Sequence, residues 1–307
     1  MTAAARIGLT VLIAAIYAVC YSVIKTGLAF APPLRYAGMR AFLAGLVLLG
    51  LLAFRRLPLL PPRRLWGVIA AIAAVGTAIG FGAMFLSPGR TGAGIASVLG
   101  NTTPLIVVGF AAAFLREPLT PAKVAALIFG IGGISLIAYS GLAGPQAYGI
   151  VGVLLPLVSA AGSAAESVIV KRAAAGAAVL RVAAWQLLIG SVPLLAFSLW
   201  LERERSVTWS PTFGALLLFL SFVGTAFTTA VWYWLIQRDE VGRLSLMLFL
   251  APVLGFLLGS AVFGERVGSL EVAGVALAVA GTIVVAWESM HVPRHPEARG
   301  SHTTARR

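Results

Sequence analysis

Few residues in this chain can do chemistry, and they are thinly spread. Glu166 lies in SAAGSAAESVIV (159–170), inside an otherwise apolar run. A charge at the middle of a bilayer costs about 2.5–3.5 kcal/mol on the insertion scale, so such a group faces a cavity or a partner. Two readings stand for Glu166. It is a proton or cationic-substrate site, with Gly162, Ser163, Ala164 and Ala165 leaving room beside it, or it is structural, paired with Lys25 or Arg40 or reaching water near a helix end. Lys25 comes late in the first apolar run, where its stem can snorkel outward; it attracts a carboxylate or marks the interface. Arg40 carries a planar fork that can clamp a carboxylate, or it packs on backbone carbonyls. Gln186 is a substrate contact or an interhelical hydrogen bond, the latter worth about 0.6 kcal/mol on average.

Aromatic residues add a second signal. Tyr17 and Tyr21 are four apart and share a helix face, as do Phe81 and Phe85. Trp232, Tyr233 and Trp234 are consecutive and cannot all face one pocket. Tyr17, Tyr21, Phe85 and Tyr233 are the cavity candidates, with lipid-facing or packing roles as the alternative for each. Trp66, Trp209, Trp287 and two of the 232–234 trio read as an interfacial belt.

Other chemistries are excluded by what is missing. Cys20 is the only cysteine, and His291, His295 and His302 all lie in the polar C-terminal stretch. That removes an intrachain disulfide, CxxC and HExxH metal sites and a histidine relay inside the apolar runs. No GxxxxGK[ST] loop exists for ATP, and the glycines near Ala126, Gly130 and Gly133 lack the strand and acidic partner of a dinucleotide site. They read as close-packing positions. No cofactor or metal is expected. The ten acidic residues are scattered, which disfavours a membrane enzyme.

The elements that must position these groups follow from composition. Of 307 residues, 60% are hydrophobic and 11% charged, against about 25% charged in soluble domains. The net charge of +13 lies in short connections between apolar runs rather than on one face, which speaks against nucleic acid. Spans of roughly 20 residues divide the chain into ten expected helices, near 7–28, 34–54, 65–87, 92–114, 121–140, 148–170, 180–201, 211–236, 244–263 and 269–287. The first, preceded by Arg6, lacks a small-residue cleavage site and reads as a retained helix. With a cytoplasmic N-terminus, sixteen of the twenty-three basic residues fall on the cytoplasmic side, so both termini are placed there.

Sliding the chain against itself reveals a duplication. At an offset of 148, VGTA (75–78) falls on VGTA (223–226), Arg90 on Arg238, Gly94 on Gly242, Ser97 on Ser245, Pro104 on Pro252, Glu117 on Glu265 and Gly133 on Gly281. At 146, Lys25 falls on Lys171 and Arg40 on Gln186. Two five-helix repeats, 1–140 and 141–288, with a polar basic tail at 289–307, are the expected units. Five is odd, so the second repeat enters the membrane inverted, an architecture that places a substrate near the midplane between halves. Pro104 and Pro252 are the expected hinges, where breaks free backbone carbonyls. Asn101 precedes the first break and its mate is Phe249, so it is the better candidate for substrate choice. Glu117 and Glu265 are read as structural caps meeting the positive end of the next helix, with Thr120-Pro121 supplying its start.

The stretches YAVCYSVIKTGL, PPLRYAGMRAFLAGLVLL and TGAGIASVLGNTTPLIVVGFAAAFLREPLTPAKVAALIFGIGGISLI resemble the EamA family of the drug/metabolite transporter superfamily. Lys25, Arg40, Pro104 and Glu117 fit its pattern, and Pro252 and Glu265 fit it in the second half. The chain departs from it at Tyr17-Ala18-Val19 and in carrying Glu166. The resemblance implies an all-α, ten-helix secondary carrier of the cell inner membrane. The expectation is alternating access moving a small amphipathic metabolite, with amino acid efflux as the leading case and proton coupling as a candidate. A lipid or drug-like compound flippase is the alternative. The lipid bilayer and a small-molecule substrate are the expected partners, with a monomer or weak homodimer as the state.

Overall fold

The computed structural model describes residues 3–91, 96, 99–100, 102–142, 149–173, 178–248, 250–251, 253–254, 258 and 269–291. Asn101, Pro252 and Glu265 lie outside the described residues, as does most of 92–98 and 259–268. The helices are α1 (Ala3–Gly27), α2 (Pro33–Phe54), α3 (Arg63–Arg90), α4 (Thr103–Leu115), α5 (Pro121–Leu142), α6 (Gly149–Ala173), α7 (Ala178–Leu201), α8 (Pro211–Ile236), α9 (Val241–Met247) and α10 (Ser269–His291). No strand occurs among the described residues. Among the described residues, six helices, α1, α2, α3, α6, α7 and α8, are long and apolar enough to cross a membrane.

Local chemistry fixes many of the ends. Pro33 and Pro211 stand at the first helical positions of α2 and α8, where the missing N–H would have had no partner. Ser210 caps α8 by accepting from the Phe213 N–H at 3.1 Å, and Thr120 Oγ1 accepts from the Lys123 N–H at 3.3 Å at the start of α5. Arg56 takes a left-handed conformation, φ 53°, so that its own N–H and that of Leu57 bond back to Ala53 O and Leu52 O. That closing turn satisfies carbonyls that α2 leaves unpaired.

Wide turns occur in three of the described helices, one of them at Ala111–Leu115 in α4. Residues Ala73–Phe81 of α3 and Phe222–Phe227 of α8 are π-helical, with i→i+5 spacing in place of i→i+4. The duplicated VGTA tetrads (75–78 and 223–226) fall inside these two stretches.

The packing pattern pairs helices across the chain. α2 lies along α7, α5 along α10, and α4 against α9, while α3 packs on α6 and α7, and α8 on α1 and α2. Close approach is a matter of small residues: a Cβ on Gly162 of α6 would collide with the carbonyl oxygen of Val75, and one on Gly45 of α2 would sit 2.6 Å from Leu188 Cγ of α7. Large apolar side chains such as Ile128, Val192 and Trp200 point outward and are more than 60% exposed, as a lipid-facing surface requires.

Candidate functional site

A cavity of about 120 Å³ opens between α1, α2, α3, α4, α6 and α8, several times the roughly 10–15 Å³ that one water position needs. Tyr17 and Tyr21 line it from α1, Arg40 from α2, Phe81 and Met84 from α3, and Pro104 from the start of α4. α6 contributes Ser159, Ser163, Glu166 and Ser167, and α8 contributes Gly224, Thr228, Thr229, Trp232 and Tyr233.

Glu166 is held by named donors. Tyr233 Oη donates to its Oε1 at 2.6 Å, and Gln186 Nε2 donates to the same oxygen at 3.4 Å. Gln186 is oriented in turn by Thr77, whose Oγ1 donates to its Oε1 at 2.5 Å. Oε2 points at Gly76, where any Cβ would collide with it. The carboxylate therefore sits in a slot that exists because α3 has no side chain there.

Arg40 is 2% exposed and is anchored on α8. Its Nε donates to Thr225 Oγ1 at 2.5 Å and its Nη2 to the carbonyl of Gly224 at 3.0 Å. The guanidinium carbon stands 4.9 Å from the Phe81 ring centroid and 5.5 Å from that of Phe85, within cation–π range. Nη1 is buried without a hydrogen-bond partner. Arg40 and Glu166 are not in ion-pair contact with each other among the described residues.

These contacts are related by the offsets seen in the sequence. Arg40 and Gln186 are mates, and so are Thr225 and Thr77; Arg40 bonds Thr225 and Gln186 bonds Thr77. Glu166 and Cys20 are mates at 146, Gly76 and Gly224 at 148, and a Cβ on Gly224 would lie 2.9 Å from Cys20 Sγ. Two lattices of equivalent contacts thus meet at the cavity, with different side chains at corresponding places.

The remaining expectations fall as follows. Phe85 does not line the cavity; it is fully buried and packs edge-on against Tyr36, ring centroids 5.1 Å apart. Phe81, one turn earlier, takes the wall position. Gln186 is behind the wall and reaches it only through its hydrogen bond to Glu166. Lys25, two residues before the end of α1, is half-buried and outside the lining. Trp232, read as belt, is 7% exposed and donates from Nε1 to Ser167 Oγ at 3.0 Å.

A further sequence reading needs correction. Glu117 was expected to meet the helix that follows it. Its oxygens instead accept from the N–H groups of Val241 at 2.7 Å and Gly242 at 2.9 Å, capping α9. An ion cluster surrounds this cap: Lys123 with Glu240 at 2.6 Å and Glu117 at 3.8 Å, Arg6 with Asp239 at 3.4 Å, and Arg243 with Asp239 and Glu240. It ties the starts of α1, α5 and α9 at one end of the molecule. Asp239, Glu240 and Arg243 are close in sequence, but Glu117, Lys123 and Arg6 come from more than a hundred residues away, so spacing alone gave no sign of the whole cluster.

The profile of the EamA-like transporter family matches residues 5–139 and again residues 150–287. The chain belongs to the EamA-like transporter family. It is 29% identical to the uncharacterized transporter YvbV of Bacillus subtilis over 85% of each chain. It is 27% identical to a probable amino-acid metabolite efflux pump of Salmonella typhimurium, over 90% of this chain and 93% of that one. A solved crystal structure superposes with a TM-score of 0.70 over 93% of this chain and 98% of that chain, at 20% identity, a likeness of fold.

Proposed function

We propose that this protein is a secondary carrier that exports a small amphipathic metabolite, an amino acid being the leading case, by alternating access. The observation that carries the reading is the cavity at the junction of the two contact lattices, mostly apolar in its lining but with the charged side chains of Glu166 and Arg40 on its wall. The Salmonella relative's description as an amino-acid metabolite efflux pump agrees with it. In this reading ten spans form two inverted five-helix repeats, 1–140 and 141–288, and both termini face the cytoplasm from the inner membrane. The repeated family match and the paired π-helical stretches support the duplication. Pro104, buried at the start of α4, and Pro252 would serve as hinges, while Asn101 would act in substrate choice and Lys25 at the outer mouth. Glu166 would exchange a proton or hold a cation as the bundles rock.

The test is flux in proteoliposomes for a panel of amino acids and organic cations, with and without a pH gradient, beside a fluorescent-lipid scrambling assay. Protein-dependent flux of panel members supports the carrier. Lipid scrambling with no solute flux replaces it with the flippase alternative.

A further inference from the structure

The two walls of the cavity have diverged in opposite chemical directions. At corresponding positions the first half places Tyr17 and Tyr21 where the second places Ser163 and Ser167. Arg40 has only a neutral amide, Gln186, as its mate, and Glu166 only a thiol, Cys20. One wall is therefore cationic and the other acidic, with aromatic rings on both and the serines on the acidic side. A single fixed charge would suit a simple cation or anion; two opposite charges that do not neutralise each other suit a molecule carrying both.

Arg40 shows where the negative end would go. Two of its three nitrogens are committed to α8, which fixes the plane of the guanidinium, and the Phe81 ring limits its movement further. The third, Nη1, is buried without a partner. An unsatisfied buried donor on a charged group is costly, and a carboxylate oxygen is the acceptor that a guanidinium N–H satisfies best.

We propose that Arg40 Nη1 is the receptor for the carboxylate of the transported molecule, so that the substrate class is a zwitterion whose ammonium faces Glu166. This rests on the carrier reading above and narrows it. A ligand lacking the carboxylate leaves Nη1 unpaired and is rejected by a factor on the order of 10 to 100.

The experiment compares the twenty amino acids, each with its primary amide and its decarboxylated amine, as competitors and as transported solutes in proteoliposomes of the full chain. The expected result is at least one amino acid favoured about tenfold or more over its amide and amine, with that ratio falling towards one in Arg40→Gln and partly restored in Arg40→Lys. A purely structural role for Arg40 would lower acid, amide and amine in proportion and leave the ratio intact, which overturns the proposal. Amines moved as well as their parent acids by the wild type overturn it too, with the carrier reading still standing. That comparison needs no variant, so it decides the matter even if Arg40→Gln does not fold. No flux of any compound by the wild type overturns both.

Discussion

Glu117 joins the end of α4 to the start of α9, its two carboxylate oxygens accepting from the backbone N–H groups of Val241 and Gly242. The contact spans 124 residues of sequence and sits within the ion cluster of Lys123, Asp239, Glu240 and Arg243. Removing the carboxylate in Glu117→Ala leaves two helix-start donors unpaired and deprives Lys123 of a counter-charge. The expected cost is about 1–2 kcal/mol of stability, read as a lowered unfolding midpoint of the detergent-purified protein. Glu117→Gln, which keeps one acceptor, should fall between the alanine variant and the wild type. An unchanged midpoint in the alanine variant would mean that the cap is not holding α9.

Glu166 is the acid that faces the cavity, with Tyr233 donating to it at 2.6 Å. In Glu166→Gln the side chain keeps its shape and loses the ability to exchange a proton. Flux driven by a pH gradient should disappear, while exchange of substrate across the membrane without a gradient continues at a reduced rate. Tyr233→Phe should retain gradient dependence but weaken it. Identical gradient dependence in Glu166→Gln and wild type would remove Glu166 as the proton site.

Gly76 offers a steric test of the same group. A methyl there would collide with Glu166 Oε2, so Gly76→Ala should push the carboxylate off the wall. Displacement of this size can cost about a hundredfold in rate. Gly109→Ala, at a position where a Cβ meets nothing within 4 Å, is the matched control and should transport normally. Equal flux from the two variants would show that the carboxylate tolerates being moved.

Thr77 and Gln186 are coupled by one buried hydrogen bond between α3 and α7. A double-mutant cycle of Thr77→Val and Gln186→Leu, measured by unfolding, should yield a coupling of about 0.6–1.7 kcal/mol. Additive effects would mean that the two residues act independently.

The sequence exposed the class of fold through its apolar runs, and the charged wall of the cavity through the rarity of charge inside them. Glu166 and Arg40 stood out because nothing near them in sequence could neutralise them. Aromatic assignment was less legible. Phe81 and Phe85 share a face under 3.6-residue periodicity, and Phe85 is kept out of the cavity by Tyr36 of α2, which packs against its ring. Trp232 looked interfacial because it begins a run of three aromatics, and its partner Ser167 lies 65 residues away. The cap made by Glu117 was invisible for the same reason: the helix it serves is not its neighbour in the chain.

The wide turns in α3 and α8 also set the phase of everything beyond them. Each α-helical residue advances the side-chain direction by roughly 100°, so a helix with one residue too many in a turn presents different faces before and after it. Shortening VGTA by one residue in α8 would allow a regular helix to form there. Keeping that residue while forcing the regular pitch would instead rotate Trp232 and Tyr233 by roughly 100° off the cavity wall, carrying the Glu166 donor away without changing a single side chain in the lining. The wide turn at these tetrads is therefore as much a part of the cavity as the residues that line it.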